Sequence, residues 1–167
     1  MGTEGAPVLD VLGQPQTVPV DLRTLSGTAT LGLPPRPESV RRARDFTRAT
    51  LLGWRLPEQF DSVALVVSEL VTNALRHGLA RRFPLPAPPV PAVELELMRC
   101  SGRLVCAVQD PSVTAPRTPA GPLDEPDDTA ESGRGLHLVD SFSDGWGWRP
   151  LTGDRGKVVW AVFRTNG

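Results

Sequence analysis

Ser68 to Gly78 read SELVTNALRHG, and this stretch decides how the chain is understood. It closes a longer run in which Val63, Val66, Val67, Leu70, Val71 and Ala74 recur at the spacing of one helix face. Glu69, Asn73 and His77 stand four residues apart, so they share a stripe beside that face. An acid, an amide and an imidazole in line allow two readings. One is the solvated side of an amphipathic helix. The other is a site helix carrying a base, a metal ligand and a polar end. Spacing alone leaves both open.

Upstream, Pro57-Glu58 starts this helix, and Gly78 is a suitable residue to end it. An earlier helix opens at Pro37-Glu38-Ser39 and ends at Gly53. Val40, Ala43, Phe46, Thr47 and Leu51 form its inner face, with Arg41, Arg42, Arg44 and Arg48 on the flanks. Those arginines are a solvated face or a partner-docking patch. Thr28 to Leu33 is expected to be a short strand closed by Pro34-Pro35. Residues 1–26, punctuated by Gly and Pro without a period, read as a mobile N-terminal tail.

Downstream, residues 79–91 hold two arginines and five prolines and are expected to be a surface connection. Val93, Leu95 and Leu97 then alternate with Glu94, Glu96 and Met98, and Ser101-Gly102 turns the chain into LVCAVQD. That second strand is apolar on both faces as far as Gln109, which predicts a central place in a sheet. It ends at Asp110, directly before Pro111. No periodicity survives from 111 to 132, where Asp124, Glu125, Asp127, Asp128 and Glu131 make the far end acidic. A loop of that length is functional or disordered. Ser132-Gly133-Arg134-Gly135-Leu136 reads as a Gly-rich turn opening a short helix through Leu138, Val139 and Phe142. Backbone N–H groups there can seat a phosphate, or the glycines can serve a tight turn only. A turn at Gly153–Gly156 and a last strand VVWAVF close the chain, with Trp146, Trp148 and Trp160 expected to pack.

Composition narrows the function. The 167 residues suit one domain with a sizeable core, and a net charge of −1 leaves no basic excess for a dedicated nucleic-acid binder. Lys157 is the only lysine, so nearly all basic charge is arginine. A turn at Ser101-Gly102 sets Cys100 opposite Arg103 and Cys106 opposite Leu97, which predicts unbridged, reduced, cytoplasmic thiols. Neither a signal peptide nor an apolar run long enough for a membrane span is evident.

The order is strand, helix, helix with Glu-x-x-x-Asn-x-x-x-His, hairpin ending in Asp, long loop, Gly-x-Gly helix, hairpin. No P-loop sequence occurs. In that order the chain resembles the Bergerat-fold (GHKL) ATP-binding domains, and among them the bacterial anti-sigma factors that are serine-protein kinases. SELVTNALRHG is similar to the family's N box, Asp110 to its first Gly-box aspartate, and SGRGLHLV to its second Gly box. The likeness spans roughly residues 28–163. It implies an α+β two-layer sandwich, a mixed, mostly antiparallel sheet with helices 37–52 and 57–77 on one face. The domain would cover 27–167, with residues 111–132 as a lid.

The resemblance also implies roles. Asn73 would hold the Mg²⁺ that bridges the phosphates of ATP, a task suited to a hard amide oxygen. Glu69 would take the proton of an attacking serine, and Asp110 would accept from the adenine amino group. Gly133, Arg134, Gly135 and Leu136 would bring backbone to the phosphates, and His77 would touch the nucleotide or pack at the helix end. Partners would be a sigma factor and an anti-sigma antagonist protein, with no direct nucleic acid, no membrane, and room for a homodimer. Two departures concern base recognition. The family usually reads D-x-G-x-G, whereas Asp110 is followed by Pro111-Ser112-Val113-Thr114. The threonine often found beside the adenine on the last strand is replaced by Val158, after Gly156-Lys157. Retained Glu69 favours a kinase; the altered aspartate box favours a non-catalytic anti-sigma adaptor with weak or structural nucleotide binding.

Overall fold

The computed structural model describes residues 22–80, 93–112, 130–151, 153 and 156–166, with the side chains of 22, 77–80 and 130–135 outside that set. Expectations for residues 1–21, for the connection at 81–92 and for most of the lid, 113–129, fall outside it. Five strands form one sheet: β1 (Gly27–Leu33), β2 (Val93–Cys100), β3 (Arg103–Asp110), β4 (Gly145–Pro150) and β5 (Lys157–Arg164). Their order is β1-β2-β3-β5-β4, and every pairing is antiparallel. β3 is central, as its two apolar faces require. Register sets Leu97 against Cys106 and Cys100 against Arg103, and neither cysteine is in a disulfide.

Three helices accompany the sheet: α1 (Glu38–Gly53), α2 (Phe60–Ala80) and α3 (Ala130–Phe142). Helices α1 and α2 pack together, α3 lies on α2, and α2 crosses β3. One core joins Ala43 and Leu51 of α1, the Val63–Leu75 face of α2, Val139 of α3, and Leu97, Cys106, Val108 and Phe163 of the sheet. These residues are completely or almost completely buried, and this burial is the main force holding the layers together. The opposite sheet face carries a second cluster, Met98, Val105, Ala107, Val158, Trp160 and Val162, with Leu25 and Leu151 packed against it.

Helix ends follow the sequence expectation in one case and depart from it in another. α1 ends at Gly53, and the chain reverses two residues on, at Arg55, whose φ is 60°. Leu56 N donates to Leu51 O at 2.8 Å and Arg55 N to Leu52 O at 3.1 Å, the paired bonds of a Schellman cap. Pro57–Gln59 forms a 3₁₀ turn before α2, and α2 runs past Gly78 to Ala80. A Gly between helical neighbours breaks no hydrogen bond, so packing on α3 and the sheet can outweigh its propensity cost. Thr24 and Ser26, expected in the tail, are tied to the β2–β3 turn: Ser26 N donates to Arg99 O at 2.8 Å, and Thr24 Oγ1 accepts from Ser101 N at 3.0 Å. On α1, the Arg48 guanidinium stacks over the Phe60 ring, 4.5 Å from its centroid. Among the described residues no helix is long and apolar enough to cross a membrane.

Candidate nucleotide site

The stripe on α2 comes first. Helix spacing turns Val63, Val66, Val67, Leu70, Val71 and Ala74 into the core, which leaves Glu69 and Asn73 half-buried at its border. Burial pushes the Glu69 carboxyl above its ordinary value, and the charge of Arg76 partly offsets this. A carboxylate with a raised pKa is a better proton acceptor at neutral pH than an exposed one. Asn73 adds a neutral amide one turn away. His77 continues the same helix, but its side chain lies outside the described set.

The strand ends come second. Asp110 closes β3 and Lys157 opens β5, and the two are direct partners in register. Alternation places both on the helix-bearing face, with Val108 and Val159, whereas Val158 belongs to the opposite cluster. The residue beside Asp110 on the last strand is therefore Lys157, while Val158 pairs with Gln109. Lys157 Nζ lies 3.0 Å from Oδ1 and 3.0 Å from Oδ2 of Asp110, and each side chain is 2% exposed. Ser112 N also donates to Asp110 Oδ1, at 2.8 Å. Gly156 makes the approach possible. Its φ is 112°, and a Cβ there would collide with the Asp110 carbonyl oxygen and Pro111 Cα.

Asp110 thus ends its strand as expected, and it is engaged there by a cation from 47 residues further along the chain. The only signal was a single lysine, directly after a glycine, in a chain whose other basic residues are arginine.

Third, α3 starts at Ala130, so Gly133, Arg134 and Gly135 fall within the helix and do not form a turn before it. Leu136 is buried against the rest of the fold and anchors the helix. The side chains of 133–135 are outside the described set, as is the loop 113–129 expected to be a lid.

Among the described residues no three His, Cys, Asp or Glu side chains could together hold a metal ion. The oxygen donors on α2 still fit Mg²⁺, which takes few protein ligands and completes its octahedron with phosphates and water. Asn73 is the residue that would hold it.

Residues 33–163 match the family described as the histidine kinase-like ATPase domain. No curated protein matches the chain. A solved structure with the same fold is that of the RsbU and RsbW domains of Rv1364c from Mycobacterium tuberculosis, with a TM-score of 0.56 and 14% identity. That match covers 83% of this chain and 32% of the other, so the present chain spans about a third of that protein.

Proposed function

The chain belongs to the histidine kinase-like ATPase domain family, an ATP-binding family, and from that premise we propose an anti-sigma factor with serine-protein kinase activity toward an antagonist protein. The observation that carries the kinase half is Glu69, an acid held half-buried with a raised pKa one turn from Asn73. In the proposed step a serine hydroxyl of the antagonist gives its proton to Glu69. Its oxygen bonds to the γ-phosphorus of ATP while the bond to ADP breaks. Mg²⁺ would neutralise the phosphate charge, and Asn73 would hold it in place. Unphosphorylated antagonist would compete with a sigma factor for this protein. Two cysteines without a disulfide suit a reducing compartment; burial pushes the Cys106 thiol up to about 12, which leaves it inert.

Glu69→Gln keeps the shape but removes the base. It is expected to lower phosphotransfer by about 10²–10⁴-fold while ATP binding stays nearly unchanged. Asn73→Ala is expected to weaken Mg-ATP binding itself. Phosphorylation of candidate antagonists with labelled ATP, together with calorimetry, separates the two effects. Equal activity of Glu69→Gln and wild type would sink the assignment.

A second reading is favoured by one feature, the engagement of Asp110 by Lys157. It makes the chain a non-catalytic anti-sigma adaptor with weak nucleotide binding. Sequestration of a sigma factor by protein that phosphorylates nothing would establish it.

A further inference from the structure

A cavity of about 260 Å³ opens at the end of the sheet away from Asp110. Four separate stretches of chain meet there: the residues before β1, the reversal after α1, the β2–β3 turn and the residues after β5. Hydrogen bonds pin these walls to one another. Ser26 N and Oγ both donate to Arg99 O, Ser101 N donates to Thr24 Oγ1, and Thr165 N donates to Gly102 O. The cavity is therefore formed before any ligand arrives. Eight-residue β3 leads from the turn beside it to Asp110, so it lies about 20 Å or more from the nucleotide site.

Arg55 and Arg99 both line this cavity, and none of its described lining residues is acidic. Among the described residues neither guanidinium has an ion-pair or hydrogen-bond partner. Ser101, Thr165 and Asn166 add hydroxyl and amide donors to the same walls. Two like charges at one small cavity repel each other until an anion sits between them. Arg55 reaches the cavity from a strained backbone, the only positive φ among the described non-glycine residues, and such outliers cluster at ligand sites. The C-terminus of α1 is adjacent, but the cap bonds occupy the carbonyls of Thr50, Leu51 and Leu52, which blunts its repulsion of an anion.

We propose that this cavity binds the phosphate group of a phosphate monoester. Guanidinium forks match phosphate oxygens in pairs, and a phosphate's two charges answer two arginines where a carboxylate answers one. The volume suits a phosphate and a few further atoms, since drug-sized ligands fill about 300–1,000 Å³. The ester is a small metabolite or a phosphorylated serine of a partner protein. The inference does not depend on the nucleotide reading.

The test is calorimetry of the full chain with glycerol 3-phosphate, with a short phosphoserine peptide, and with the same peptide unphosphorylated. Binding of either phosphate ligand supports the inference, and the arm that binds more tightly identifies the source. Binding of neither, or equal binding of the two peptides with no binding of the small ester, overturns it. Arg55→Gly and Arg99→Met are each expected to weaken the phosphate ligand by about tenfold or more, the worth of a hydrogen bond to a charged group. Arg55→Gly relieves the backbone at that position, so it keeps the fold. Should Arg99→Met not fold, Arg55→Gly decides. Unchanged affinity in the folded variants places the binding elsewhere and overturns the inference. In wild type, amide NMR shifts are expected at residues 99–102 and 165–166; shifts confined to residues 69–77 also overturn it. Affinity should fall as pH drops from about 7.5 to about 5, because the phosphate loses its second charge near pH 6 while both arginines keep theirs.

Discussion

Asp110 and Lys157 show how a single pair can cost and stabilise at once. Two charges with 2% exposure have left water, and their mutual bonds offset that loss only while both are present. Lys157→Met strands a buried carboxylate, so it is expected to cost about 3–5 kcal/mol in urea denaturation. Asp110→Asn combined with Lys157→Met removes both charges and should recover much of that loss, a coupling a double-mutant cycle measures. Additive losses would mean that the two side chains do not act as a pair. The sequence marked Asp110 as important from its place at a strand end before Pro111. It could not mark Lys157 as its partner, because 47 residues separate them and only strand register brings them together.

At the scale of elements, helix ends were the least legible feature. Residue types pointed to Gly53 and Gly78 as terminators; α1 does end at Gly53, but Gly78 lies within α2. The reversal after α1 is made by Arg55 at φ 60°, where a Cβ is strained. The backbone accepts this because the two cap bonds and buried Leu56 hold it in place. Arg55→Gly removes the strain but loosens the unfolded chain. The net expectation is a gain of about 0.5–1 kcal/mol, seen as a higher thermal midpoint. A lower midpoint would show that the Arg55 side chain contributes more than its backbone costs. Element interiors were far more legible: the α2 stripe, the β2–β3 register and the central place of β3 follow from period and turn position.

For the whole molecule, acidity gives a global test. Glu96 is 9% exposed on the sheet face without helices, and burial raises its pKa, with Glu94 adding a smaller push. A carboxyl whose folded pKa is raised binds its proton more tightly in the native state than in the unfolded one. Its contribution is therefore favourable below the unfolded value, near 4.5, and is lost as pH rises through the higher folded value. Glu96→Gln mimics the neutral form. It is expected to raise the thermal midpoint at pH 7, with the gain disappearing below about pH 4. A gain that persists unchanged in acid would mean that ionisation of Glu96 is not what costs stability.

The sequence by itself determined which segments are helix and strand, that the sheet is built from hairpins, and which face of α2 is buried. Each of these follows from a local period or a turn, and local patterns survive in a linear string. It also picked out Glu69, Asn73 and Asp110 as one set through a likeness of motifs in order. Tertiary structure alone decided that Lys157 and not Val158 stands beside Asp110. A one-residue difference in register moves a side chain to the other face of a sheet, and the partner of a strand end is fixed by packing across the whole molecule.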